Sequence, residues 1–338
     1  MMHSLTFARH VPDLRVFGVR AQFRSTREEG DIGREPRGGQ ESERVHRSVM
    51  VREVVDLLSP KKGELLLDVT AGEGGHSEAL LQAATGTKLI ALDADQSAVA
   101  ATSKRLAHFK GRTSVIEGNF ADVGTLLKNA GVEAIDKAVF DLGWNRGQLR
   151  SGRGFSFLHD EPLLMVYGTT PRSGFTAAEV LNSWSEKVLA DVFFGYGEER
   201  FARRIARAVV ERRSKKPFET TLELVEVVQD AVPAVYRHGR IHPATKTFQA
   251  LRIAVNDELG ALKAGLGAVW ILLPQGGRMA VITFHSIEDR LVKHMFAGFA
   301  KDGGHLLSKK PLTPTREESI QNPSARSAKM RSIEKLPL

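Results

Sequence analysis

Residues 65–76 read Leu-Leu-Leu-Asp-Val-Thr-Ala-Gly-Glu-Gly-Gly-His, and no other stretch constrains the fold as tightly. Three leucines closed by Asp68 run into a loop with Gly72, Gly74 and Gly75, then into a helix-forming stretch from Ser77 to Ala84. This pattern predicts a buried strand, a tight turn and a helix start. In an open α/β sheet such a junction holds a nucleotide-like ligand. Its glycines let the backbone approach that ligand and reach positive φ without strain.

The same alternation continues along the chain. A short amphipathic helix over Val49–Leu58 precedes the first strand. Strands are predicted at 65–68, 88–92, 113–117 and 137–140, with helices at 77–84, 97–109 and 123–130. That order predicts a doubly wound, parallel α/β sheet. After Asp141 it stops. Residues 144–175 are loop-like and glycine-rich, and 176–235 are almost wholly helical in pattern. A long helix at about 244–264, a short helix to Leu272, a strand over Arg278–Phe284, a helix over Ser286–Phe299 and a last strand near Ala328–Ile333 complete the reading. The expected organisation is a tail (1–44), an α/β domain in two pieces (45–148 and 244–338) and an all-helical insertion (149–243).

Composition narrows the function classes. The chain has no cysteine, which excludes disulfides, thiolate catalysis and cysteine-bound metal. No apolar run approaches the ~18–20 residues that span a membrane. The net charge of +8 is compatible with a polyanionic partner such as nucleic acid, and equally with a merely basic soluble protein. The first 27 residues hold five arginines and one acid, Asp13. They read either as a tail or as a mitochondrial presequence, so the cytoplasm is the expected compartment and the mitochondrial matrix the alternative.

The glycine loop discriminates between ligands. A dinucleotide site wants G-x-G-x-x-G after the strand, to seat a pyrophosphate on the helix N-terminus. Here the third glycine of that spacing is missing, and Asp68 and Glu73 would repel a pyrophosphate. Both acids suit a cationic ligand with an amino group and a sulfonium, which is S-adenosylmethionine. Asp93, ending strand two, can accept from two ribose hydroxyls. Phe120, just past strand three, can flank an adenine or fill the core. Asp141, ending strand four, lies where a methyl group would be transferred. An acid at one strand end is often a turn former; four such residues at four successive strand ends form a far more specific set.

Further motifs carry a family resemblance. They are His46-Arg-Ser-Val-Met50, Asp68-x-Thr70-x-Gly72-x-Gly74-Gly75-His76, Asp141-Leu-Gly143, Arg153-Gly-Phe-Ser-Phe157 with Asp160, and Tyr196-Gly-Glu-Glu-Arg200. Then follow His242-Pro-Ala-Thr-Lys-Thr-Phe-Gln-Ala250 with Arg252, Gly276-Gly-Arg278, Phe284-His-Ser-Ile-Glu-Asp-Arg290 and Asn322-Pro-x-Ala-Arg-Ser327. In this order they resemble the bacterial ribosomal small-subunit RNA cytosine-N4 methyltransferases over about residues 46–333. The resemblance implies a Rossmann-like class I methyltransferase sheet and S-adenosyl-L-methionine bound by Gly74, Gly75, His76, Asp93, Phe120, Asp141 and Gln148. It implies a target cytosine in the decoding region of the small-subunit RNA, free or in the assembled subunit, and RNA recognition by the helical insertion. Oligomeric state, monomer or homodimer, is left open. The chain departs from the family pattern at Asn145 and Arg146, where serines are usual, and at Leu164 and Val166, where Asp and Arg are usual.

Several residues invite more than one reading. Asp141 is the candidate catalytic group, as an acceptor for the cytosine amine or as a cofactor contact. Asn145 and Arg146, with Trp144 and Phe155, fall in a loop suited to closing over a base removed from its stack. Arg200, Arg203, Arg204 and Arg207 share one face of a predicted helix, 198–213, opposite Phe201, Ile205, Ala208 and Val209; that face is a phosphate track or a solvated charge stripe. Thr245, Gln249, Arg252 and Asn256 form a second polar stripe. His285, Glu288 and Asp289 read not as metal ligands but as a helix start, with Ser286 as N-cap and Asp289 as its partner. Two other functions stay open: an RNA-binding assembly factor of this fold that has lost turnover, and a DNA amino-methyltransferase, whose usual Pro-Pro-aromatic motif is missing after strand four.

Overall fold

In the computed structural model, residues 47–143 and 151–337 are described. The chain opens with α1 (Val51–Leu58), β1 (Leu65–Asp68), α2 (Gly75–Ala83), β2 (Lys88–Asp93), α3 (Gln96–Arg105), β3 (Thr113–Glu117), α4 (Val123–Asn129) and β4 (Lys137–Asp141). Strands β1, β2 and β4 are four to six residues of mostly buried side chains, as in a sheet covered on both faces, whereas the edge strand β3 (five residues) is only partly covered.

A run of helices follows: α5 (Ala177–Ser183), α6 (Glu186–Gly197), α7 (Ala202–Arg213), α8 (Thr221–Ala231), α9 (Ala234–Arg237) and α10 (Thr245–Asn256). The chain then adds α11 (Glu258–Leu272), β5 (Arg278–Thr283), α12 (Ser286–Lys301), β6 (Gly304–Leu306), α13 (Arg316–Gln321) and β7 (Lys329–Lys335). Among the described residues no helix is long and apolar enough to cross a membrane.

The sheet order is β3-β2-β1-β4-β5-β7-β6. Strands β1 to β5 are parallel; β7 runs antiparallel to β5, and β6 antiparallel to β7. The expected doubly wound sheet is therefore present, with a mixed edge that periodicity did not reveal. Alternate strand residues feed two cores. Leu67, Ile90, Phe140 and Val281 pack with Leu262 and Leu266 of α11 and Phe296 of α12. Leu66, Leu89, Val139 and Ala280 pack with Val54 and Leu58 of α1 and Leu80 of α2.

Residues Gly152–Glu258 form one compact unit and the α/β elements another. The second boundary differs from the expected 243/244. Helix α10 belongs to the helical unit because it packs on α6: a Cβ on Gly197 would lie 2.4 Å from the Lys246 carbonyl, and Gln249 Nε2 donates to the Tyr196 carbonyl at 2.9 Å. The single helix expected over 244–264 is two, broken where Asp257 takes a left-handed conformation (φ 47). The polar stripe of α10 is used inside this unit. Arg252 pairs with Glu258 at 2.8 and 3.1 Å, and Asn256 donates to the Met165 carbonyl and accepts the Tyr167 N–H. The start of α12 is also corrected. His285 is the N-cap, its Nδ1 accepting the Glu288 N–H, while Glu288 accepts the Phe284 N–H. Asp289 is taken by Arg331 at 2.6 and 3.1 Å.

Helix α11 offers a matched pair of glycines. A Cβ at Gly265 would meet the Phe120 ring and carbonyl, both at 2.9 Å, whereas one at Gly267 meets nothing within 4 Å. In chemical denaturation Gly267→Ala is expected to stabilise the α/β unit by ~0.5–1 kcal/mol through helix propensity. Gly265→Ala is expected to destabilise it by ~1–3 kcal/mol through overpacking. Equal effects would refute the close approach at Gly265.

Candidate functional site

The C-terminal ends of β1 to β4 carry the residues that the sequence singled out. In parallel register Asp68 stands opposite Ala91 and Val139, so the chain leaves all four strands on the same edge of the sheet. The glycine loop is shaped from beneath. Gly72 donates its N–H to Asp93 Oδ2 at 2.9 Å, and its carbonyl accepts the Thr102 hydroxyl at 2.9 Å. Arg105 reaches over from α3 to the Glu73 carbonyl and to Glu78.

Gly74 sits at φ +79, a conformation strained for any residue with a Cβ. A Cβ on Gly75 would lie 2.0 Å from Ser48 Oγ. The cradle above α2 therefore exists only because these two positions carry no side chain.

Asp68 has a different task from the one expected. It is fully buried, accepting the Ser77 hydroxyl at 2.7 Å and the Thr70 N–H at 3.2 Å. Its carboxylate closes the loop internally instead of facing a ligand. Burial raises its pKa above the ordinary carboxylate value, against the lowering effects of His76, Ser77 and the Thr70 N–H.

Next to it, His76 is 4% exposed, and its Nε2 lies 3.2 Å from Asp141 Oδ2. Burial works against its charged form, yet the hydrogen bond to Asp141 and the negative charges of Asp141, Asp68 and Glu318 outweigh it and raise its pKa. Asp141 is fixed further by its own N–H, which donates to Thr70 Oγ1 at 2.6 Å. With Oδ2 engaged, Asp141 Oδ1 is buried without a hydrogen-bond partner, and so is His76 Nδ1.

Asp93 accepts from Gly72 and, at 2.9 Å, from the Asp95 N–H. Burial pushes its pKa up to about 6. Phe120 follows β3, half-buried, its ring edge-on to Phe140 at 6.0 Å and filling the space over Gly265. Its ring is anchored in the core. Gln148, Asn145, Arg146 and Trp144 lie outside the described residues.

The arginines belong to the helical unit. Arg203, Arg204 and Arg207 are exposed on α7, opposite buried Ala202, Ile205, Ala206 and Val209. Arg200 and Phe201 precede the helix instead of starting it, because Glu198 ends α6 in a left-handed conformation. The two expected groups are thus the strand-end set in one unit and the arginine face in the other.

Sequence reasoning missed Ser48, Thr70, Thr102 and Arg105 as builders of the cradle. Thr70 and Ser48 at least stand inside recognisable motifs. Nothing local marks Glu318, which accepts the Met50 N–H at 2.7 Å from 268 positions away.

An acidic rim, a glycine cradle and an unpartnered buried carboxylate oxygen fit an adenosine-bearing cation with an amino group, and so fit S-adenosylmethionine. Asp93 would take its ribose, and Gly74, Gly75 and His76 would line the cradle.

Comparison with known proteins agrees. The profile of the MraW methylase family matches residues 43–336. The chain is 47% identical over 297 residues to the ribosomal RNA small subunit methyltransferase H of Synechocystis sp., covering 86% of this chain and 93% of that one. It is 44% identical over 292 residues to the protein of the same name from Persephonella marina, with 86% and 99% covered. Among solved structures, an rRNA methylase from Streptococcus thermophilus aligns at 11% identity and a TM-score of 0.40, covering 85% of this chain and 94% of that one. From its profile match and these identities, the chain belongs to the MraW methylase family.

Proposed function

We propose that this chain transfers a methyl group to the exocyclic N4 amine of a cytosine in the decoding region of small-subunit ribosomal RNA. The observation that carries this reading is Asp141 Oδ1, a buried acceptor left without a partner while Oδ2 is held at 3.2 Å by His76 Nε2. S-adenosylmethionine supplies an electrophilic methyl group on a sulfonium whose leaving group is a neutral thioether. The chain's own work is alignment, which accounts for most of the acceleration such a displacement needs. Asp141 Oδ1 accepts one N–H of the cytosine amine, turning its lone pair out of the ring plane toward the methyl group, and takes up the proton released as the new C–N bond forms. His76 holds the other oxygen, so Asp141 cannot rotate away. Asp93 fixes the ribose.

The exposed arginines of the helical unit, Arg200, Arg203, Arg204 and Arg207, supply phosphate contacts that position the RNA without reading its sequence. Asn145 and Arg146 are proposed to border the target base and Gln148 the cofactor.

Nucleoside mass spectrometry of small-subunit RNA incubated with protein and cofactor is expected to show N4-methylcytosine. Its absence would overturn the reading in favour of an assembly factor. In the same assay Asp141→Ala is expected to lower kcat about 100-fold or more at saturating cofactor. A normal kcat with only a weaker cofactor affinity would remove Asp141 from the chemistry.

Asp93 yields a pH prediction. Its carboxyl titrates near 6, so it is an ionised acceptor above that pH and a protonated group below it. Cofactor Kd by calorimetry is therefore expected to be flat above about pH 7 and to rise about tenfold per unit below 6. In Asp93→Asn, Kd is expected to be weaker throughout and to lose this pH dependence. An unchanged pH profile in that variant would assign the titration elsewhere.

A further inference from the structure

The Tyr196-Gly-Glu-Glu-Arg200 stretch holds more than a turn between two helices needs. Glu199 is a fully buried carboxylate. Its Oε1 accepts the Phe201 N–H at 2.7 Å, and its Oε2 accepts the Tyr236 hydroxyl at 2.6 Å. The Tyr236 ring stands edge-on to Phe201, 5.0 Å between centroids at 73°. Over this pair lies the Arg200 guanidinium, 4.9 Å from the Phe201 ring and 4.7 Å from that of Tyr236. Arg204 flanks Phe201 at 5.9 Å. Arg200 is exposed, and among the described residues no acid pairs with it.

Burying a carboxylate is costly, and helix α7 has a start that a serine or threonine would cap. What the carboxylate adds is a fixed tyrosine, and what the tyrosine adds is a fixed arginine. An arginine held against two aromatic rings loses little further freedom when a ligand arrives, and its exposed N–H groups offer a bidentate site to an acceptor. The matching acceptor is a phosphate. By contrast Arg207 has only a long contact to Glu186, at 3.8 Å.

We propose that Arg200 is a preorganised anchor for one backbone phosphate of the RNA, and that Glu199 and Tyr236 are its positioning residues. This rests on the reading of the helical unit as the RNA-binding part of the chain. One phosphate accepts two parallel N–H bonds from the guanidinium, which the two rings hold in place at 4.9 and 4.7 Å. Arg203, and Arg207 with its long contact to Glu186, add diffuse attraction.

The test uses full-length protein, a fluorescein-labelled transcript of small-subunit ribosomal RNA and binding titrations across a range of salt, with cofactor affinity as a check on folding. Arg200→Ala is expected to weaken RNA binding about tenfold and to reduce the slope of log K against log salt by about one. Tyr236→Phe, which removes only the hydroxyl, and Glu199→Gln are expected to weaken binding by about three- to fivefold, the scale of one lost hydrogen bond. These losses are expected to vanish when either change is made in the Arg200→Ala background. Equal losses in both backgrounds would mark Glu199 and Tyr236 as merely structural and overturn their positioning role. The double variant Arg203→Ala/Arg207→Ala separates the two levels of the proposal. RNA affinity lost there but kept in Arg200→Ala would overturn the anchor and leave the RNA-binding reading standing. Affinity unchanged in both would overturn that reading and the anchor with it.

Discussion

The hydrogen bond between His76 and Asp141 is the contact on which the site depends. It joins the first turn of α2 to the end of β4, 65 positions apart in sequence, with Asp68 buried beneath it. An isolated buried carboxylate would cost several kcal/mol; here two carboxylates share one imidazole, whose pKa they raise together. The same contact fixes Asp141 with one oxygen engaged and one open. Thr70 completes the arrangement from within the glycine loop, its hydroxyl accepting the Asp141 N–H. Loop shape and the open acceptor are therefore one structural fact. A change that loosened the loop would also release the carboxylate.

That interdependence explains what could be read from the chain beforehand. Strands β1 to β4, the glycine cradle and the acids at the strand ends announce themselves through apolar runs, turn residues and regular spacing. Asp93 and Asp141 stand where spacing placed them. Asp68 stands there too, but its environment is tertiary: Ser77 and Thr70 surround it, so it serves as an internal strut. The antiparallel β7 depends on partners distant in sequence, as does the grip of Glu318 on Met50. A periodic reading places helix α7 four residues early because it counts apolar spacing and misses the left-handed Glu198. Departures from the family pattern at Leu164 and Val166 are also resolved differently by the fold. Leu164 is 39% exposed, whereas Val166 is buried at 6% where an arginine is usual.

Methyl transfer to RNA asks for alignment of a small cofactor with a large polymer, and the proposed function divides that task between the two units by chemistry. The α/β unit offers buried, desolvated hydrogen-bonding groups, which suit a small cationic ligand and a single amine. The helical unit offers exposed arginines on a rigid apolar base, which suit a long, charged, conformationally mobile polymer. In the proposed function, buried polarity would give short-range orientation in one unit and exposed charge long-range capture in the other.

The central claim is the hydrogen bond from His76 Nε2–H to Asp141 Oδ2, which engages one carboxylate oxygen, raises the pKa of His76 and leaves Oδ1 as the proposed acceptor for the substrate amine. Long-range proton–nitrogen correlation on 15N-labelled protein, with His76→Gln to assign the signal among the 11 histidines, measures it directly. The expected result is a proton on His76 Nε2 and a titration midpoint above the ordinary histidine value that falls in Asp141→Asn. A neutral His76 ring at pH 6.5, or a midpoint indifferent to Asp141, would contradict it.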